Sequence, residues 1–254
     1  MDTGYKHTEG LKVYESAMAV PYMAYARVAL RKLLKKHGAA TGSSLDLACG
    51  GGHLVQVLAG AGWTAYGCDL SADMIETALA NYPPLRDRFF VADMRELPTD
   101  GSYDLITVVF NSIHYLDANG RRQLWRSLGA SLKPGGLFLS QQNTLEAMNN
   151  YWLGRTHLWQ SRDGFSLWTG TPGPAPQSIS IEKHYFETIG GDSYRLSRAR
   201  HDYHFFALDE MKAGLENQGI RIVGLHDGAT LAPYAAESQA TSIWVVAKKT
   251  KPSP

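Results

Sequence analysis

The sequence predicts an α/β fold, a doubly wound and mostly parallel sheet with helices on both faces. Three observations predict it. Between residues 44 and 140, short apolar runs alternate with segments whose apolar residues recur at helical spacing, the pattern of parallel β-α-β units. Tyr103 to Phe110 is apolar nearly throughout, as a parallel strand buried on both faces should be. Four of the runs end in turns bearing Gly, Asp or Asn, where an open parallel sheet places its ligands.

The elements follow in order. The first 40 residues read as one or two helices capping the domain. Ser44 to Ala48 is the first strand, running into Cys49-Gly50-Gly51-Gly52. Leu54, Val55, Val57 and Leu58 then recur at helical spacing until Gly60 and Gly62 stop the helix. Thr64 to Cys68 is the second strand. Ser71 caps the next helix, with Asp73 in its first turn, Met74, Ile75 and Leu79 on its apolar face and Pro83-Pro84 ending it. Phe89-Phe90-Val91 and Tyr103 to Phe110 are strands three and four. Leu124, Trp125, Leu128 and Leu132 mark a helix closed by Lys133-Pro134-Gly135-Gly136, and Leu137-Phe138-Leu139 is strand five.

The pattern changes between about 141 and 206. Phe165, Leu167 and Thr169 alternate with polar neighbours, as do Ile179, Ile181, Lys183 and Tyr185, then Tyr194, Leu196 and Arg198. Period two on both sides of Ile189-Gly190-Gly191-Asp192 reads as an antiparallel hairpin, so a small antiparallel sheet interrupts the parallel domain. A helix follows from Leu208, with Met211 and Leu215 inward, and Ile220 to Leu225 and Ser242 to Ala247 are the last strands. The tail from Lys248 to Pro254 is polar and expected to fray. The division is 1–40 for the helical cap, 41–142 and 207–250 for the α/β core, and 143–206 for the inserted β-subdomain.

Bulk properties bound the function. A chain of 254 residues fits one large domain or a domain with a sizeable insertion and buries roughly 75% of its unfolded surface. It therefore needs neither disulfide nor metal to fold. A net charge of +1 with dispersed acids and bases argues against a nucleic-acid partner. The one basic run, Arg31, Lys32, Lys35 and Lys36, has the spacing of a solvated helix face. Cys49 and Cys68 each close an apolar run and read as small core residues in a reducing compartment. No apolar stretch approaches the roughly 18 residues that cross a bilayer, and Met1 to Lys6 lacks the apolar segment of a signal peptide. A cytoplasmic protein without a membrane partner is expected.

The chemistry should lie at the carboxyl ends of the strands. In the turn Asp46-Leu47-Ala48-Cys49-Gly50-Gly51-Gly52-His53, glycine lets a ligand approach the backbone. A dinucleotide fold would place a third glycine where Val55 stands, which argues against a nicotinamide enzyme. Asp69 follows Gly50 by nineteen residues, and a carboxylate there can accept from both hydroxyls of a ribose. Asp93, after the third strand, could accept from an adenine amino group or simply cap a helical turn. Phe110-Asn111-Ser112-Ile113-His114-Tyr115 leaves the fourth strand directly over the site.

These four segments in this order resemble the class I S-adenosylmethionine-dependent methyltransferases: D-L-A-C-G-G-G-H is similar to their first motif, G-C-D-L-S-A-D-M-I to their acidic second, A-D-M-R-E-L-P to the segment near adenine, and L-K-P-G-G-L-F-L to the turn before strand five. The resemblance implies a Rossmann-like seven-stranded sheet with an antiparallel last strand. It also implies S-adenosylmethionine as cofactor, S-adenosylhomocysteine as product, and a cofactor site of Asp46, Ala48, Gly50, Gly52, Asp69, Leu70, Met74, Asp93, Met94, Phe110 and Asn111. Val13-Tyr14-Glu15 followed by Pro21-Tyr22, with the insertion after strand five, resembles the sugar N,N-dimethyltransferases and related antibiotic-pathway enzymes. That narrower resemblance nominates Tyr14 beside the cofactor; Glu15 stands where those relatives carry Asp.

The activity implied is in-line transfer of a methyl group to nitrogen or oxygen of a small-molecule acceptor, probed by Tyr22, Tyr115 and Trp152. The absence of N-P-P-Y at Phe110-Asn111-Ser112-Ile113 speaks against a base-amino acceptor. His114 is the candidate base, since histidine titrates near neutrality, though it could equally hydrogen-bond or pack. His53 stands alone and reads as structural or cofactor-adjacent. His184, His201 and His204 share no acidic or cysteine partner, so no metal is expected. The aromatic insertion, with Tyr151, Trp152, Trp159, Phe165, Trp168, Tyr185 and Tyr203, could be a substrate lid or a contact between two copies in a homo-oligomer. The same motifs would serve a protein of this fold that binds the cofactor without methylating.

Overall fold

The computed structural model describes residues 10–97, 103–235 and 240–250. Its main sheet contains β1 (Ser43–Leu47), β2 (Thr64–Asp69), β3 (Phe89–Val91), β4 (Tyr103–Val108), β5 (Leu132–Asn143), β10 (Ile220–Asp227) and β11 (Ser242–Lys249) in the order β10-β11-β5-β4-β1-β2-β3. β1 to β5 pair in parallel, and β11 runs antiparallel to both β5 and β10. The chain leaves β1 for β2 on one side and reaches β4 on the other, so strand order reverses at β1. Leu47 stands level with both Cys68 and Val108, which brings the carboxyl ends of three strands to one line.

The sheet's two faces carry separate cores. On one, α5 (Ala118–Ser131) and α7 (Leu208–Glu216) bury Leu124, Trp125, Leu128, Met211 and Leu215 against Leu45, Leu47 and Phe138. On the other, α2 (Val20–Lys36), α3 (His53–Gly60) and α4 (Ala72–Asn81) bury Leu30, Leu33, Leu54, Val55 and Ile75 against Leu105, Leu139 and Trp244. The Ser71 hydroxyl caps α4 by accepting from Met74 N at 3.3 Å. The Lys-Pro-Gly-Gly segment is the irregular start of β5 and not a separate turn: the register with β4 shifts between Tyr103 and Leu105, and Gly135 takes φ +84°.

The N-terminal region forms one helical rod. α1 (Leu11–Tyr14) passes into a π-helical turn, Glu15–Ala19, and on into α2. Arg31, Lys32, Lys35 and Lys36 are exposed on it. Among the described residues no helix is long and apolar enough to cross a membrane.

The inserted segment begins with α6 (Leu145–Ala147) and a π-helical turn to Trp152, then folds as a four-stranded antiparallel meander: β6 (Thr156–Ser161), β7 (Gly164–Pro172), β8 (Ser178–Gly190) and β9 (Ser193–His204). β6 is missing from the alternation read in the sequence because it is an edge strand with no fully buried face. The inward phase also differs from the apolar alternation in two strands. β7 buries Ser166 and Trp168, and the inward residues of β9 include His201 and Tyr203. Phe165, Phe186 and Tyr194 cluster on the opposite face instead. The inward face packs on the helical rod through Val13, Met18, Trp152, Ile181 and Tyr185.

Candidate functional site

A cavity of about 820 Å³ lies over the carboxyl ends of β1, β2, β3 and β4, between the helical rod and the inserted sheet. Its volume falls within the usual range for a small-molecule site. The sequence-nominated residues Tyr14, Ala48, Gly50, Asp69, Leu70, Met74, Asp93, Met94, Phe110, Asn111, His114, Tyr22, Tyr115 and Trp152 all line it.

Two nominated residues do not. Asp46 is 2% exposed and lies behind the wall, where its carboxylate accepts from Thr107 Oγ1 at 2.6 Å. Burial drives its pKa up to about 7, against the opposing hydrogen bond. It therefore pins β1 to β4 beneath the cavity. Gly52, at φ +81°, caps α3, and a Cβ there would meet the Phe89 ring at 2.7 Å and Ala78 at 3.0 Å. It faces the core, where it permits close packing.

The backbone at the strand ends is strained in a consistent way. Ala48, Phe110 and Asn111 take φ of 54°, 56° and 65°, costly for residues with a Cβ and a recurrent mark of functional turns. Gln141 Oε1 on β5 holds one of these turns by accepting from Phe110 N at 3.0 Å and from the Tyr22 hydroxyl at 2.9 Å. Asn111 Oδ1 accepts from Asn143 N at 2.6 Å, so the β4 turn is laced to β5. The Tyr22 and Phe110 rings lie 4.4 Å apart. Gln141 was not legible as a site residue, since a polar residue ending a strand has no distinctive pattern.

Asp69 ends β2 at 7% exposure. Its Oδ2 accepts from Gly50 N and its Oδ1 from Ser71 N, both at 2.9 Å. Burial raises its pKa and those backbone bonds oppose the rise. A carboxylate has about four lone-pair sites, more than the backbone N–H groups of Gly50, Ser71 and Leu70 take up, which leaves capacity for a ligand hydroxyl. A Cβ on Gly50 would point into open space with no atom within 4 Å; the glycine leaves that volume to the cavity. Asp93 is tied to Arg95 in an ion pair and accepts from Arg95 N at 2.9 Å. Burial tends to raise its pKa, but the Arg95 interactions together outweigh it and leave the carboxyl low. A carboxyl acceptor beside a glycine cradle, with a second acid farther along, fits S-adenosylmethionine.

Two histidines are placed differently from their sequence reading. His53 is not alone: Nδ1 meets the Tyr82 hydroxyl at 2.7 Å and Nε2 meets the Glu15 carboxylate, which ties α1's end to α3. His114 lines the cavity, but its Nδ1 lies 3.2 Å from the His204 carbonyl and its Nε2 3.1 Å from the Asn143 carbonyl. A neutral ring donates to one of these and turns its lone pair toward the other, so this geometry offers no free lone pair for a base. The ring stacks on Phe205 at 4.4 Å. Burial lowers its pKa to about 4, against opposing backbone bonds.

A stability prediction follows from that burial. The folded value lies below the unfolded one near 6.5, so the unfolded chain binds the extra proton between the two. Stability contributed by neutral His114 is complete above about pH 6.5 and is lost as pH falls toward 4, by about 3 kcal/mol in all. Asp46 acts in the opposite sense over a similar range, so the useful quantity is a difference between proteins. His114→Gln should lose less stability than wild type between pH 7 and pH 5 in urea unfolding; equal losses would contradict the assignment.

The two cysteines are free and buried, with thiols pushed up by burial. One residue that pattern reading passed over is Lys183, which lines the cavity from β8. The signal was present, since it occupies an inward position in the row Ile179, Ile181, Lys183, Tyr185.

Comparison with known proteins agrees with this geometry. Residues 45–136 match the family described as methyltransferase domain. The chain is 27% identical over 214 residues to YqeM of Bacillus subtilis (strain 168), covering 83% of this chain and 84% of that protein. It superposes on an S-adenosylmethionine-dependent methyltransferase from Clostridium acetobutylicum with a TM-score of 0.81 at 18% identity, over 94% of this chain and 97% of the other. It also superposes on CalS10, an amino pentose methyltransferase from Micromonospora echinaspora involved in calicheamicin biosynthesis, with a TM-score of 0.67 at 17% identity, over 89% and 90% of the two chains. Residues 45–136 thus match a methyltransferase domain, and the chain has the fold of the class I, S-adenosylmethionine-dependent methyltransferases.

Proposed function

We propose that the protein transfers a methyl group from S-adenosylmethionine to a nitrogen or oxygen of a small-molecule acceptor, by in-line displacement, in secondary metabolism. The observation that carries the reading is a single cavity lined on one side by Gly50, Asp69 and Asp93 and on the other by Trp152, Trp159 and Trp168 of the insertion. Donor and acceptor would share one enclosure, which supplies the alignment such a displacement needs. Kinship of fold with an amino pentose methyltransferase supports a metabolite acceptor.

When bound, S-adenosylmethionine supplies an electrophilic methyl carbon on a sulfonium. The chain's residues do the rest. Asp69 would hold the ribose hydroxyls; Asp93, whose oxygens Arg95 grips, would have to yield one of those bonds to accept from the adenine amino group; and Asn111, with its Oδ1 already committed to Asn143, would present its amide N–H groups to the methionine end. Tyr14 and Tyr22 close the enclosure from the helical rod, and the aromatic row of the insertion excludes water and receives the acceptor.

The test uses methyl-labelled S-adenosylmethionine, purified protein and a desalted extract of the source cells, followed by separation of small from large molecules. Label is expected in the small-molecule fraction. Label on macromolecules would overturn the acceptor class. Tight cofactor binding without any transfer would favour a binding protein that does not methylate.

A further inference from the structure

Lys183 is an unusual residue for the middle of a sheet. It is 1% exposed, on the inward row of β8, with Trp168 and Ala199 as its cross-strand partners. Its Nζ donates to the Tyr203 hydroxyl at 3.1 Å and toward the Tyr115 hydroxyl at 3.5 Å, and it lies 4.1 Å from the centre of the Trp168 ring. The Tyr115 and Tyr203 oxygens are 2.9 Å apart. Lys183, Trp168, Tyr115 and Tyr203 all line the cavity.

No carboxylate compensates this amine among the described residues. The titratable groups facing it are Tyr115 from the turn after β4 and Tyr203 from β9, with His201 of β9 against the Tyr115 ring at 5.5 Å. Arg200 and Asp202 of β9 are held by each other and by Ser180. Burial alone brings the Lys183 amine down to about 7, so near neutrality it exists in both forms. A buried ammonium without a counter-ion costs several kcal/mol; the fold avoids that cost by holding the amine partly neutral, and an anion placed beside it would draw the proton back.

We propose that Lys183, Tyr203 and Tyr115 form the acceptor's anion-holding subsite, and that the acceptor carries an acidic hydroxyl, phenol or enol, on a flat ring. This rests on the methyl-transfer reading above and specifies its substrate class. The hydroxyl O–H bond breaks, its proton passes to the lone pair of neutral Lys183, directly or by way of the Tyr203 hydroxyl, and the bonding electron pair stays on oxygen. One proton transfer thus creates both the nucleophile and its counter-ion. Once the oxygen is methylated its charge is gone, and the unpaired ammonium returns the proton to solvent. The Trp159 and Trp152 rings line the same cavity and offer aromatic surface to a flat acceptor. An aliphatic amine fits poorly, because its ammonium meets a like charge and holds its proton about three pH units more tightly than this lysine does.

The probe is 4-nitrophenol, whose phenolate absorbs at longer wavelength than the phenol, titrated with protein saturated in S-adenosylhomocysteine. The wild type should bind it as phenolate at a pH where the free compound is mostly protonated. Lys183→Met should bind it about tenfold more weakly or worse, without ionising it, while Lys183→Arg, which keeps the charge, should still bind the phenolate. Absence of binding by the wild type, binding as the neutral phenol, equal binding by Lys183→Met, or tighter binding of benzylamine or benzoate would each overturn the proposal. Calorimetry with S-adenosylhomocysteine on the same samples separates the failures. If no sample binds it, the methyl-transfer reading fails; if all bind it alike and only the phenol arm fails, the subsite alone is wrong.

Discussion

Asp69→Ala should lower the affinity for S-adenosylhomocysteine by about two to four orders of magnitude. The carboxylate at the end of β2 has acceptor capacity beyond its backbone bonds, and the ribose reading gives it both hydroxyls. A hydrogen bond to a charged acceptor contributes about 1.5–3 kcal/mol, and each 1.4 kcal/mol is tenfold in affinity. Two ribose hydroxyls therefore account for about 3–6 kcal/mol. The substitution also releases Gly50 N and Ser71 N, which loosens the glycine turn and adds to the loss. Asp69→Asn keeps one acceptor oxygen and should lose less. Calorimetry decides the matter, and unchanged affinity in Asp69→Ala would remove the ribose role.

Gly52→Ala and Gly50→Ala should fail in different ways. At Gly52 the left-handed backbone costs about 1–2 kcal/mol for a residue with a Cβ, and the new methyl, pressed against Phe89 and Ala78, adds about 1–3 kcal/mol of overpacking. A stability loss of about 2–5 kcal/mol is expected in urea unfolding, large against the 5–15 kcal/mol of a typical domain. At Gly50 only the backbone term applies, because the methyl meets no atom within 4 Å. That methyl projects into the cavity, so Gly50→Ala should keep most of its stability and bind S-adenosylhomocysteine poorly. Equal stability loss in the two variants would contradict the distinct roles given to these glycines.

The contrast shows what a sequence can and cannot say about such a turn. The succession of strands and helices and the inserted antiparallel sheet were legible because apolar period and breaker residues encode them locally, whereas the antiparallel last strand came from the family resemblance. So were the ends of β1, β2, β3 and β4, where Gly50, Asp69, Asp93 and Phe110 meet at the cavity. Asp46 and Gly52 belong to the same motif string, but a string does not record which way each residue faces. The left-handed backbone of Ala48 and Gly50 turns one glycine to the cavity and leaves the other against Phe89. His114 shows the same limit: its place over the site follows from the strand, while the carbonyls of His204 and Asn143 that occupy its nitrogens come from residues 90 and 29 positions away, respectively. In β7 and β9 the apolar alternation had the wrong phase, because the inward face is built around a cavity and tolerates Ser166 and His201.

The inserted sheet is a single meander, each strand paired only with its neighbours in sequence. It contributes none of the hydrogen bonds that set the seven-stranded sheet's register. Its inward row meets the rest of the protein through side chains alone, Ile181 and Tyr185 on the helical rod and Tyr203 on Tyr115. On the proposed reading, substitutions at Trp168, Ile181, Lys183 or Tyr203, which line the cavity from the insertion, would alter what it accepts and leave the sheet that carries Gly50 and Asp69 paired as before. On that reading a lineage would explore new acceptors by drifting in one hairpin ribbon while the donor seat stayed under constraint, and a laboratory library confined to these positions would search the same space.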